Sequence, residues 1–314
     1  MDRKVYDRDQ LYSLLALGST ERAEDLGTQL ERYREALKQE DLSASASSIA
    51  RTARPTSIAR TARFGASADR LGLGFAIAYY EATRTQLGGG AFSSLAVTER
   101  GGAHPRTIQT AAAKDEQGYK LSGAKSFVTL GGHSESILIL AKEGALPGGR
   151  VALGLFRVPA AHPALERSVL PETPFTPELT HASIRFSDLT LDESARLEGD
   201  GYRDWVRTFV VAEERHILAA ILGYRIGLDR IYSLQPNRAA EDALLTLLEL
   251  DPEEETIDSL NFLVGVAEQL ISEPPLPIAR EEAARYQRDL RILQLGAPRR
   301  AKRLERLQQR SAPA

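Results

Sequence analysis

The strongest constraint on this chain is a change of texture that happens twice. From Gly88 to about Leu191 it runs as short strand-like segments: Ala91–Thr98, Thr107–Ala113, Tyr119–Leu130, Ile137–Ala141, Val151–Val158 and Ala182–Phe186. Gly, Pro and Asp-Glu turns separate them, and spacing this regular predicts an antiparallel barrel or sandwich. On either side the periodicity is helical. Leu11, Leu14, Leu15 and Leu17, then Thr20–Lys38 and Ala66–Leu87, precede the β segment. Arg203–Leu234, Arg238–Leu250, Thr256–Ile271, Pro277–Leu295 and Arg299–Gln309 follow it. The expected fold is therefore α+β in three parts: an N-terminal helical domain (1–88), a central β domain (89–195) and an abbreviated C-terminal helical bundle (196–314).

Composition narrows the chemistry. The 314 residues include no cysteine, which excludes disulfides, thiolate nucleophiles and cysteine-bound metal clusters. The net charge of −3 gives no global field for nucleic acid. The most apolar short run, Ile217–Gly223, is too short to span a bilayer. The charged start has no apolar core of a secretory signal, so a cytoplasmic protein is expected. His104, His133, His162, His181 and His216 are scattered without ligand spacing, so no metal site is expected. Arginine outnumbers lysine 33 to 7. The heptad Ser48-Ile-Ala-Arg-Thr-Ala-Arg54 recurs as Ser57–Arg63. Two copies are too few for a solenoid. They read as a local duplication in a surface loop or helix extension, ahead of an arginine patch of Arg51, Arg54, Arg60 and Arg63.

Three stretches in order resemble the acyl-CoA dehydrogenase family. Leu95-Ala-Val-Thr-Glu-Arg-Gly-Gly102 is similar to its first signature, and Leu121-Ser-Gly-Ala-Lys-Ser-Phe-Val-Thr-Leu-Gly131 to its second flavin-contacting stretch. Phe186-Ser-Asp-Leu with Gly199-Asp-Gly-Tyr202 matches the link into a long helix bearing Glu-Arg, and Arg288–Ala297 gives a weaker fourth match. The resemblance implies FAD bound between a β domain and a helical bundle, and α,β-desaturation of an acyl thioester. It implies that Val97 and Thr98 meet the flavin pyrimidine edge, Phe127 lies beside the isoalloxazine, and Thr129 bonds near N5. Electrons would pass to an electron-transfer flavoprotein, and the protein would work as a homo- or hetero-oligomer on acyl-CoA or a carrier-bound acyl group.

Glu214 is the candidate base. At roughly 100° per residue, Val210, Val211, Ile217, Leu218 and Ile221 fall within about 60° of it, so a carboxylate interrupts an apolar stripe. Such a group must pair, sit in a solvated cavity, or have its pKa raised by desolvation. The stripe alone favours an ion pair with an arginine of another helix. The resemblance favours a base, because the family's usual C-terminal glutamate is absent from Leu295-Gly-Ala-Pro298. Isovaleryl-CoA and long-chain members lack it there too, and carry it in the long helix. Arg215 then supports ligand placement, and His104 stands where the family's ligand-holding serine would be, within Ala103-His104-Pro105. The family's Arg-x-x-Phe-Gly and Gln-x-x-Gly-Gly segments, which clasp a partner subunit's FAD, are not found. Two alternatives therefore accompany the dehydrogenase reading. One is a non-catalytic or partner-dependent subunit of the same fold, the other a flavin-dependent monooxygenase on it.

Overall fold

The computed structural model describes residues 7–15, 25–45, 56–87, 90–146, 148–250 and 255–311. Four helices come first: α1 (Arg8–Leu15), α2 (Leu26–Ser45), α3 (Ser57–Ser67) and α4 (Leu71–Gln86). The strands are β1 (Ser93–Ala96), β2 (Ala111–Asp115), β3 (Gly118–Thr129), β4 (Ser136–Ala145), β5 (Val151–Pro159), β6 (Glu166–Val169) and β7 (His181–Leu191). A short π-helical segment, Gly201–Val206, leads into α5 (Arg207–Ile231). The chain continues through α6 (Arg238–Glu249), α7 (Ile257–Ser272), α8 (Arg280–Asp289) and α9 (Arg291–Ser311). This is the helical–β–helical order expected from the sequence. No described helix is long and apolar enough to cross a membrane.

The chain divides into two compact units. One comprises Met1–Glu81, Pro174–Glu178 and Glu213–Ala314, and the other Ala82–Thr173 and Leu179–Ala212. The second unit holds one branched, curled seven-stranded sheet in the order β1-β4-β2-β3-β7-β6, with β5 on the other flank of β4. Most pairs are antiparallel, but β1 and β2 both run parallel to β4. Strand β4 is buried on both faces. Its Ile137, Ile139 and Ala141 join Leu121, Val128 and Phe156 in one core, and Leu138 and Leu140 join Leu153 and Leu155 in another. Strand β6, Glu-Arg-Ser-Val, is exposed throughout, and so carries no alternating pattern to betray it.

The first unit is built on a close helix contact. A side chain at Gly65 of α3 would overlap the backbone of Ala220 in α5, and side chains at Gly223 and Gly227 of α5 would overlap Ala62 and Ala66. Small residues on both helices let the backbones touch. The second heptad copy is therefore a packed helix, not a surface loop. Thr56 caps it by accepting from the Ala59 amide. Its Arg60 lies buried in a two-point pair with Glu81, at 3.0 and 2.6 Å, which also accepts from the Tyr33 hydroxyl at 2.8 Å. Arg51 and Arg54, with the rest of the first copy, lie outside the described residues.

Three helix boundaries differ from the sequence reading. The stretch Ala66–Leu87 breaks at Ala68–Arg70, where Ala68 turns extended. Leu290 separates α8 from α9. Pro298 does not end a helix but sits inside α9, on an exposed stretch where water can take the carbonyl that its missing N–H leaves free.

Candidate functional site

In the β unit three of the four cofactor candidates, Thr98, Phe127 and Thr129, gather at one face, and an irregularity in β3 turns Phe127 towards it. Lys125 pairs with Ile184 of β7, but Val128 pairs with Ala182, so β3 carries one residue more than its partner over this stretch. A bulge of this kind re-aims side chains. Regular alternation would send Phe127 inward with Lys125; the extra residue leaves both Ser126 and Phe127 facing out. Phe127 is 41% exposed, among the few large apolar side chains that are. An isolated antiparallel bridge joins it to Thr98, and the Ser126 amide donates to the Thr98 carbonyl at 2.8 Å. Val97 is buried in the core beside Leu138 and Leu140, while Thr98 and Thr129 remain half-buried. Thus Thr98 and Phe127 are brought together, and Thr129 lies two residues along the strand.

His181 lies beneath this face. It pairs in register with Thr129, and its ring stacks on Phe127 with centroids 4.1 Å apart and planes at 27°. It is 7% exposed, its Nδ1 has no hydrogen-bond partner, and burial pushes its pKa down to about 4. The imidazole is therefore neutral at physiological pH and backs the phenyl ring as a second aromatic layer. A phenyl ring supported on one side and open elsewhere, with threonine hydroxyls nearby, fits a planar conjugated ligand with acceptor atoms on its edge.

A polar knot fixes the loop that carries Val97 and Thr98. The buried Glu99 carboxylate accepts from the Gln109 amide at 2.6 Å, from the Thr110 amide and hydroxyl at 3.1 and 2.6 Å, and from Lys125 at 2.7 Å. Lys125 is fully buried and also donates to the Leu140 carbonyl at 2.5 Å. Burial pulls its pKa down to about 8 against the opposing pull of Glu99. For Glu99, burial alone would raise the pKa, but its hydrogen bonds prevail and hold it below the usual carboxylate value. His181, Glu99 and Lys125 were not among the sequence candidates. Glu99 and Lys125 were visible inside the two quoted stretches, whereas His181 carried no signal without the strand register.

His104 has a local job: it precedes the short helical turn Pro105–Thr107, and its Nδ1 accepts from the Arg106 amide at 3.2 Å. It is exposed.

In the helical unit Glu214 is 13% exposed and ion-paired. Arg303 of α9 bonds one carboxylate oxygen, Arg300 lies 3.8 Å from the other, and Arg303 also reaches Glu255 at 2.9 Å. This is the cross-helix pair that the apolar stripe predicted. Gly296 leaves room for it, since a side chain there would crowd both Glu214 and Arg300. The neighbouring Glu213 has no ion pair among the described residues. Its pKa is pushed up to about 7, chiefly by desolvation and further by Glu214, with Arg299 opposing. Arg215 is buried. The Arg288-Asp289 stretch is a structural clasp: Asp289 accepts from the Thr176 amide at 2.7 Å, and Arg288 pairs with Asp289.

Comparison with known proteins agrees with this architecture. Residues 94–189 match the model of the acyl-CoA dehydrogenase middle domain. None of the curated protein sequences matches the chain. Among solved structures, butyryl-CoA dehydrogenase from Megasphaera elsdenii superposes with a TM-score of 0.58 at 15% identity, covering 92% of this chain and 86% of that one. The prolyl acyl carrier protein oxidase AnaB gives 0.59 at 18% identity, over 79% and 82%. Glutaryl-CoA dehydrogenase from Mycobacterium smegmatis gives 0.55 at 14%, over 77% and 76%. Residues 94–189 thus match an acyl-CoA dehydrogenase middle domain, within a chain that has the acyl-CoA dehydrogenase fold.

Proposed function

We propose that the protein is a flavin-dependent oxidoreductase of acyl-CoA dehydrogenase type, converting an acyl thioester to its α,β-unsaturated form. The observation that carries this reading is the bulge-exposed Phe127, backed by His181 and bridged to Thr98. A bound FAD would supply the two-electron acceptor for the β-hydride. Phe127 would support its ring system, and the hydroxyls of Thr98 and Thr129 would donate to edge atoms that gain charge on reduction. Glu214 would take the α-proton, which requires the Arg303 guanidinium to leave it and rest on Glu255 alone. Arg215 and His104 would help place the thioester, and the electrons would leave through an electron-transfer flavoprotein.

The pairing of Glu214 with Arg303 and Arg300 favours a second reading, a subunit of the same fold that binds flavin but does not turn over unaided. One titration separates the two. The purified chain, loaded with FAD, is mixed without oxygen with a series of acyl-CoAs while the visible flavin band is followed. Bleaching supports the dehydrogenase. A flavin that binds and that no thioester reduces sinks it in favour of the second reading.

A further inference from the structure

The β unit contains an open cleft of about 560 Å3, of a size that suits a cofactor or substrate fragment. Its lining includes Glu99, Arg100, Gln109, Lys125, Ser126 and Arg185. The two buried charges, Lys125 and Glu99, cancel in their 2.7 Å pair. The two at the rim do not: Arg100 and Arg185 are exposed, and neither has an ion-pair partner among the described residues. Glu166 stands opposite Arg185 in the β6–β7 ladder but makes no ion pair with it. The cleft therefore presents two exposed guanidinium groups, neither ion-paired among the described residues, to whatever enters it.

We propose that this cleft is a diphosphate site in which Arg100 and Arg185 bind the two phosphoryl groups of a ligand whose planar ring rests on Phe127. Guanidinium forks match phosphate oxygens in geometry and stay charged at any relevant pH. Two of them on one cleft suit two linked anionic centres better than a single carboxylate. The placement agrees: Arg185 pairs in register with Ala124, three residues from Phe127, or about 10 Å along the strand. That separation is of the order of a ribityl chain's reach. Ser126, beside Phe127, lines the cleft and adds a hydroxyl between the two ends. The diphosphate could come from a flavin dinucleotide or from coenzyme A. Its assignment to the flavin rests on the function proposed above, but the anion site does not.

The test uses the full chain and its double variant Arg100→Gln/Arg185→Gln. Both side chains are exposed, and circular dichroism verifies folding. Calorimetric titration with inorganic pyrophosphate should show saturable binding that weakens at least tenfold in the variant. FAD affinity should fall by a similar factor, with riboflavin affinity unchanged. A selective loss for coenzyme A over pantetheine, with FAD unaffected, keeps the diphosphate site but gives it to the thioester carrier. No saturable pyrophosphate binding, or equal binding to both proteins, overturns the proposal. Failure of riboflavin to bind the wild-type chain would instead defeat the flavin reading, leaving the pyrophosphate result to stand by itself.

Discussion

Glu213 and Glu214 are adjacent carboxyl groups in opposite circumstances. Glu214 is held by two arginines, whereas Glu213 has only the more distant field of Arg299. The raised pKa of Glu213 gives a definite sign. The native state holds its proton more tightly than the unfolded chain, so the stabilisation is complete below pH 4.5 and is lost as pH rises through about 7. Glu213→Gln should therefore be more stable than wild type at pH 8, by on the order of 2 kcal/mol, and equal to it at pH 4.5. Thermal melts of both proteins across that range check it; parallel pH profiles would contradict it. For catalysis the expectation attaches to the other residue. Glu214→Gln should abolish bleaching of bound flavin by acyl-CoA while flavin affinity stays within about twofold, and unchanged bleaching would remove Glu214 from the chemistry. Thr98, Phe127 and Thr129 could be singled out because they lie within two short stretches of sequence, and an isolated bridge joins Thr98 to Phe127. The sequence did not disclose the partners of Glu214, because Arg303 is 89 positions away and only the meeting of α5 and α9 joins them.

Among the elements, the β segment was the most legible. Strand-like runs were found at six of the seven strands, since each of those buries apolar residues. Strand β6 escaped because a fully exposed edge strand leaves no periodic trace. The bulge in β3 escaped too, since one surplus residue matters only against a partner whose register is known. Helix packing offers a paired prediction. Gly223→Ala puts a methyl group into the Ala62 carbonyl, so it should destabilise by about 1–3 kcal/mol despite alanine's better helix propensity. Gly265→Ala, in α7 with open space around it, should stabilise by up to about 1 kcal/mol. Denaturant titration of the two variants measures both; a gain in stability for Gly223→Ala would show that α3 and α5 do not approach so closely.

Across the whole molecule, the arginine excess acquires a structural meaning that composition alone did not give. Arg60, Arg225 and Arg288 bond buried carboxylates at Glu81, Asp229 and Asp289, and Arg300 and Arg303 serve Glu214. The planar fork suits such pairs better than an ammonium group does. Ligand binding should be visible at the same scale. If FAD binds the folded chain alone, a hundredfold excess over Kd stabilises it by about 2.7 kcal/mol, and the melting temperature rises with FAD concentration. A melting temperature indifferent to FAD would show that the isolated chain does not bind it.

The close fit of α3 against α5 also bears on the duplicated heptad. A repeat nine residues apart offers the folding chain two equivalent-looking segments for one slot, the condition for misalignment. The residues just beyond each copy remove the ambiguity. Were the chain slipped by nine positions, Thr56 would stand where Gly65 now sits, and its side chain would strike the backbone at Ala220. Pro55 would likewise replace Phe64 in mid-helix, where its ring breaks the hydrogen-bond ladder. The identical heptads are therefore not interchangeable: the glycine after the second copy acts as the key that only one of them carries.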